Sequence, residues 1–160
     1  MTIEVIIERV TQQNFKDLIF LIEKLAEYEH LPPPDAEASS RLKRDGITRK
    51  NPKYEAYIAK LDGKAVGYLL FFMTYSSFLA LPTLYLEDIF VLEEHRRQGI
   101  GQKLFEYCIQ IAKDRCCGRI EFCVLNWNEP AIRFYEKNKA KKLNWTFYRL
   151  DKDQIRDFKL

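Results

Sequence analysis

Arg96-Arg97-Gln98-Gly99-Ile100-Gly101-Gln102 stands at the joint between an apolar, strand-like run, TLYLEDIFV (83–91), and a helical pattern, KLFEYCIQIAK (103–113). Such a joint suits an anion. Glycine lets a ligand approach the backbone closely, first-turn N–H groups lack internal partners, and the helix dipole favours negative charge there. Arg96, Arg97 and Lys103 add positive side chains. The spacing excludes two familiar phosphate loops. Leu104 occupies the place of the third glycine of the dinucleotide fingerprint, and no stretch follows the P-loop pattern. A plain glycine turn flanked by solvated arginines fits the same letters.

Two further groups have chemistry to offer. Glu87 and Asp88 lie inside YLEDIFV (85–91), and a buried strand is a poor place for idle charge. Strand alternation sends the two to opposite faces, and ordinary edge charges are the competing reading. Tyr135 follows Ala131, Ile132 and Phe134 on a short helical pattern, where a tyrosine also serves as core. Glu27, Tyr28-Glu29, Asp35 and Glu37 make an early region acidic, which fits either a cationic ligand or a solvated helix end.

The elements that must position these residues follow from periodicity. Residues 3–10 read as a strand, and Thr11 with Asn14 can cap a helix carrying Phe15, Leu18, Ile19, Ile22, Leu25 and Ala26 at helical spacing. That helix ends near His30, before Pro32-Pro33-Pro34, and a polar helix covers 35–44. Strands at 54–60 and 65–75 are joined through Asp62-Gly63, a strong hairpin signal. After a loop at 76–82 come a strand at 83–92, a helix at 99–115, a strand at 119–125, a helix at 129–138 and a last strand at 143–150. This order predicts one α/β domain over 1–160, with a central mixed sheet and helices on both faces.

Composition sets the outer limits. The chain has 160 residues, 47% of them hydrophobic and 14% aromatic, which excludes a disordered chain. A net charge of +3 lacks the basic excess of a nucleic-acid binder, so no nucleic acid is expected as partner. Apolar runs are too short to span a bilayer and the first residues carry charge, so neither a membrane nor a signal peptide is expected. Cys108 and Cys123 read as core and Cys116-Cys117 as free thiols, with no zinc spacing and no metal site expected. A cytoplasmic location is the default.

Arg96-x-x-Gly99-x-Gly101 after a strand resembles the coenzyme A signature (Arg/Gln-x-x-Gly-x-Gly/Ala) of the GCN5-related N-acetyltransferases, and the element order resembles that fold. YLEDIFV (85–91), RRQGIG (96–101) and NWNEPAIRFYEKN (126–138) resemble the diamine (spermidine/spermine) acetyltransferase subfamily. LAEYEHL (25–31) and RLDKDQI (149–155) are similar too, so the likeness spans nearly the whole chain.

The resemblance implies an acyl-CoA N-acyltransferase fold and acetyl transfer from acetyl-CoA to the primary amine of a small molecule. It implies that Ile89, Phe90 and Val91 present strand backbone to the pantetheine arm and acetyl carbonyl. Arg96 would add charge while Arg97, Gln98, Gly99, Ile100, Gly101 and Gln102 wrap the pyrophosphate. Asn128, Glu129, Pro130 and Ala131 would line the coenzyme, and Tyr135 would be the general acid beside the thioester sulfur. Glu87 would face the amine, with Tyr28, Glu29, Glu121, Phe122 and Cys123 forming the substrate end. An alkylammonium has a pKa around 10, so a carboxylate such as Glu87 must take its proton, directly or through a water. An unpaired backbone N–H near Ile89 or Phe90 would hold the developing oxyanion.

A diamine or polyamine is the expected acceptor. The alternatives are thialysine or another amino-acid amine, a protein N-terminus, or a non-catalytic acyl-CoA-binding module, the last opposed by the presence of both Glu87 and Tyr135. A homodimer is implied as well. The sequence departs from the subfamily at Ser76, Ser77 and Phe78, where an acid and a tryptophan are usual, and at Lys139-Ala140, where Gly-Ala is usual.

Overall fold

Apolar side chains at helical spacing make the first helix. In the computed structural model, which describes residues 4–159, Phe15, Leu18, Leu21 and Ala26 form the buried face of α1 (Phe15–Glu29). The strand expected at 3–10 is β1 (Val5–Arg9), and Ile3 lies outside the described residues. Asn14 precedes α1 but makes no side-chain cap. Its amide instead accepts from the Thr11 N–H at 2.7 Å and donates to Glu8 at 2.8 Å, tying the helix start back to β1. The helix stops at His30, which takes a left-handed φ of 57° and returns its N–H to the last turn. Asp35 caps α2 (Ala36–Leu42), accepting from the Ala38 N–H at 2.8 Å, and the chain continues as a π-helical turn over Lys43–Thr48.

Five strands follow in spatial order β1-β2-β3-β4-β5, with β2 (Glu55–Leu61), β3 (Lys64–Ser76), β4 (Leu81–Val91) and β5 (Arg119–Glu121). The first four are antiparallel neighbours, and β5 runs parallel to β4. The Asp62-Gly63 turn joins β2 and β3, both residues at positive φ. Period-two alternation sorts side chains between two layers. Ala56, Ile58, Tyr68, Leu70 and Phe90 pack with Leu18 and Leu21 of α1. On the other face, α3 (Ile100–Asp114) lies against β3, β4 and β5, burying Ile100, Leu104, Phe105, Cys108 and Ala112. Each large apolar side chain buried this way is worth about 1.5–3 kcal/mol. The mixed sheet with helices on both faces is the expected architecture.

By its internal contacts the chain divides into two units, Met1–Cys123 and Val124–Leu160. The second holds α4 (Glu129–Lys137) and the short α5 (Lys152–Arg156). The strand expected at 143–150 does not form: these residues have no regular secondary structure. Leu143, Trp145 and Phe147 alternate as a strand would, but alternation makes a strand only where a neighbour takes up its N–H and C=O groups. No described strand does so.

Gly67 of β3 marks the tightest approach in the sheet's second layer. A Cβ built there would stand 2.7 Å from the Phe90 carbonyl oxygen and 3.4 Å from Leu104, so β4 would have to move. Gly67→Ala is expected to destabilise the protein by about 1–3 kcal/mol, the usual range for overpacking. Urea unfolding checks this, with a lower midpoint and an unchanged m-value as the expected result.

Candidate active site

The site begins with one extra residue. Leu86 pairs with Phe71 and Asp88 with Leu70, so Glu87 has no partner of its own on β3. This is a β-bulge, which bends a strand, strengthens its twist and breaks regular pairing. The last pair between β4 and β5, Tyr85 with Glu121, falls immediately before it. The strand expected over 119–125 is therefore only three residues long, because β4 turns away from β5 at the bulge. From Leu86 to Val91, β4 keeps β3 on one side and has no strand partner on the other among the described residues.

The bulge places Glu87 and Asp88 together opposite Leu70 of β3. Burial pushes Asp88 up to about 7, and the Glu87 charge adds to the rise. As a residue Asp88 is half-buried, but its carboxyl lies deep, whereas Glu87 is exposed. Glu29, at the end of α1, is raised by burial. Tyr68 of β3 is fully buried, and its phenol is pushed well above the ordinary range by burial and then by Asp88, with Glu29 and Glu87 contributing. Perturbed carboxyls gathered this way are a hallmark of functional sites.

After β4 comes the turn into α3. Arg97 and Gly99 both take left-handed φ values, 59° and 80°, and Gln98 between them does not. Alternation of this kind turns successive N–H groups toward one side and makes an anion-binding hollow. Gly99 caps α3 without any side chain, and the first turn carries no acid. A Cβ on Gly99 would meet nothing within 4 Å, and one on Gly101 would touch only Val91 at 3.8 Å. Arg96 does not extend into this hollow: its Nε donates to the Val91 carbonyl at 2.9 Å, and its guanidinium lies 4.5 Å from the Tyr28 ring centre and 5.6 Å from that of Phe90. It braces α1 and β4 against the turn.

At the end of β5, the Tyr85 hydroxyl donates to Cys123 Sγ at 3.4 Å, and Glu121 pairs with Arg119 at 3.1 Å. The Phe122 ring stands edge-on to Phe105 of α3, 6.2 Å between centres. Cys123 is exposed rather than core, because β5 has already ended; Cys108 is buried as expected. Among the described residues no group of His, Cys, Asp and Glu could hold a metal ion. In the second unit, Asn128 caps α4, its side chain accepting from the Ala131 N–H at 3.3 Å, with Pro130 in the first turn. Tyr135 is half-buried on α4, its ring edge-on to Phe134 at 5.5 Å.

The sequence profile described as "Acetyltransferase (GNAT) family" matches residues 18–139. The chain belongs to the GNAT acetyltransferase family. This acetyltransferase is 30% identical to thialysine N-epsilon-acetyltransferase of Sus scrofa over 165 residues, covering 96% of each chain. It is 38% identical to L-ornithine N5-acetyltransferase NATA1 of Arabidopsis thaliana over 109 residues, 66% of this chain and 48% of that one. Among solved structures it shares the fold of aminoglycoside N-acetyltransferase AAC(6')-Iy in complex with CoA, with a TM-score of 0.78, 16% identity, and coverage of 95% of this chain and 97% of that one. The GNAT acetyltransferase is thus an enzyme of acetyl transfer to amines, and its family uses acetyl-CoA as donor.

Two features of the acetyltransferase's site escape a reading of its letters. Tyr68 lies in a run of apolar residues, VGYLLFF, whose one polar atom was the available signal. The positive φ of Arg97 has no signal, since arginine does not favour that region. Gly99, by contrast, needs its freedom and has room to lose it. Gly99→Ala is expected to cost about 1–2 kcal/mol for the left-handed conformation alone, with no clash to relieve. Equal urea midpoints for the variant and the parent protein would show that the turn is not held at this φ.

Proposed function

We propose that this acetyltransferase moves the acetyl group of acetyl-CoA to the primary amine of an amino-acid side chain of the thialysine or ornithine kind, with residues 1–160 acting as one catalytic domain. The observation that carries the acceptor class is the match, over 96% of both chains, to a relative named for thialysine. The loop before β4 supports it. Ser76 is buried and its Oγ accepts the Leu79 N–H at 3.1 Å, so it is not a free group for a polyamine. Phe78 at the tip is fully exposed and carries no charge. The polyamine first suggested by the subfamily motifs is therefore the second choice.

The fit of the donor rests on the hollow before α3. A pyrophosphate needs backbone N–H groups at a helix start and room beside them, and the space around Gly99 and Gly101 with no acid in the first turn of α3 supports that reading. In this reading Arg97 to Gln102 hold the pyrophosphate through their backbone, and the free edge of β4 at Ile89, Phe90 and Val91 lies along the pantetheine. Asn128, Glu129, Pro130 and Ala131 line the coenzyme from α4. Bound there, acetyl-CoA supplies an activated thioester carbonyl. A β4 backbone N–H near Ile89 or Phe90 stabilises the oxyanion, a contribution worth about 2.7–4 kcal/mol where one such donor has been removed elsewhere. Glu87 faces the amine and takes its proton, with Tyr28 and Glu29 beside it. Tyr135 gives a proton to the departing thiolate. The homodimer implied by the subfamily resemblance belongs to the same reading, and sedimentation at the mass of a single 19.1 kDa chain would remove it.

The acceptor is tested by release of free CoA over a panel of thialysine, ornithine, lysine, spermidine and a peptide N-terminus. The highest kcat/KM is expected for thialysine or ornithine. A polyamine preferred by tenfold or more would restore the second choice, and silence with every amine would indicate a binding module.

The acid is tested by Tyr135→Phe, which removes one oxygen. Turnover is expected to fall by about 10²–10⁴, the range for a single general acid, while acetyl-CoA affinity stays unchanged. Equal losses in turnover and affinity would make Tyr135 a wall of the coenzyme site instead.

A further inference from the structure

The loop between β4 and α3 sends its first arginine to α1 rather than to the glycines that follow. A short 3-10 turn over Glu93–His95 sets the direction: the His95 N–H bonds the Leu92 carbonyl at 2.9 Å, and the Arg96 N–H bonds the Glu93 carbonyl at 3.2 Å. Arg96 is then extended, with φ −71° and ψ 164°, before Arg97 turns left-handed. The two arginines part here. Arg97 is exposed, whereas Arg96 is half-buried with its Nε donating to the Val91 carbonyl at 2.9 Å. Its guanidinium stands 4.5 Å from the Tyr28 ring centre and 5.6 Å from that of Phe90, both within cation–π range. The two rings are themselves 6.4 Å apart.

A flat guanidinium can lie on a ring and donate along its edge at the same time, so one side chain engages a helix and a strand together. The end of α1 needs such a brace. Tyr28 and Glu29 form its last turn, and His30 caps it. Pro32-Pro33-Pro34 come next, and three prolines offer no N–H to tie the chain down. No basic residue stands in the last turn of α1, so the positive charge that suits a helix C-terminus reaches Tyr28 from Arg96, outside the helix.

We propose that Arg96, the first residue of the Arg-x-x-Gly-x-Gly turn, is a positioning residue for the acceptor end of the site and not a ligand of the coenzyme. It fixes Tyr28, and with it Glu29, against Phe90 of β4, three residues beyond Glu87. The inference rests on the reading that Tyr28 and Glu29 stand beside the amine. Arg96 then acts on the acceptor through Tyr28, while the backbone from Arg97 onward is left for the pyrophosphate. The same turn serves both substrates, each by a different part.

The test compares the full-length parent with Arg96→Met, Arg96→Lys, Tyr28→Leu and the Arg96→Met/Tyr28→Leu double variant. Methionine keeps an apolar stem and removes the charge and the donors; lysine keeps the charge without the flat fork. Two quantities are measured on each: acetyl-CoA affinity by calorimetry without amine, and kcat and KM for the best amine at saturating acetyl-CoA. Arg96→Met is expected to raise the amine KM by about tenfold, with kcat and acetyl-CoA affinity within about twofold of the parent. Arg96→Lys is expected to recover part of that loss. The double variant is expected to be no worse than Tyr28→Leu alone, because both changes break one contact. Should Arg96→Met not fold, the same split between amine KM and coenzyme affinity in Arg96→Lys decides.

An acetyl-CoA affinity weaker by about tenfold or more in Arg96→Met, with the amine KM unchanged, would make Arg96 a phosphate ligand and overturn the proposal. Increases in KM that multiply in the double variant would overturn it too, since Arg96 would then act by some route other than Tyr28. A parent that acetylates no amine removes the proposed function and this inference with it. An active parent whose variants show no split removes the inference alone.

Discussion

One inserted residue organises this molecule. Where Glu87 interrupts the pairing of β4 with β3, the strand bends, and it bends immediately past its last bond to β5. The same event frees a length of β4 backbone and sets the Glu87 charge close enough to Asp88 to add to its raised pKa. A regular strand would do neither: its edge would be paired, and its side chains would alternate between layers. The bulge thus converts a structural sheet into a surface with open backbone groups next to a buried acid.

The rest of the first unit can be understood as what holds that bend in place. Tyr68, Phe71, Leu69, Leu84 and Leu86 are all but inaccessible to solvent on β3 and β4, so the strands cannot slide to heal the bulge without exposing them. Arg96 ties the end of β4 to α1 through the Val91 carbonyl and two aromatic rings. Arg115 grips Glu55 with two bonds of 2.6 and 2.9 Å and lies over Phe71, anchoring the far end of α3 to the sheet. Against this firm background the molecule tolerates three locally unfavourable features: a deep carboxyl, an unsatisfied phenol and a non-glycine residue at positive φ. All three lie within or beside the candidate site. Positive φ also occurs at His30, Asp62, Ala80, Cys116 and Lys139, so it is the meeting of the three features beside one site that points to function.

Much of this was legible in the amino-acid sequence, for reasons particular to each element. Residues with local signals read well: the alternating and helical periods of the first unit, the Asp62-Gly63 hairpin, and the glycines at the start of α3. Features that depend on a neighbour did not. The segment at 143–150 has a strand's alternation, yet alternation cannot say whether a partner strand is within reach. β5 was overestimated because the bulge that ends it lies on another strand. The depth of the Asp88 carboxyl has no signal in the letters either, since a period of two does not say which face is covered. Arg96 looked like a phosphate ligand because its charge is visible in the sequence, whereas the Val91 carbonyl that holds it is not. Family likeness carried the reaction class further than it carried the acceptor, where the subfamily motifs favoured a polyamine and the relatives favour an amino-acid amine.

In the proposed site the open edge of β4 and the glycine turn into α3 together receive the coenzyme. Calorimetric titration of acetyl-CoA into the parent protein and into Gly101→Glu tests it most directly. The substituted side chain has space, since a Cβ at that position meets only Val91 at ordinary contact distance. It would, however, set a carboxylate where the pyrophosphate is placed. Saturable binding to the parent is expected, with an affinity at least tenfold weaker in the variant, a difference of about 1.4 kcal/mol or more, and the same unfolding midpoint. Equal affinities in two equally folded proteins would contradict it.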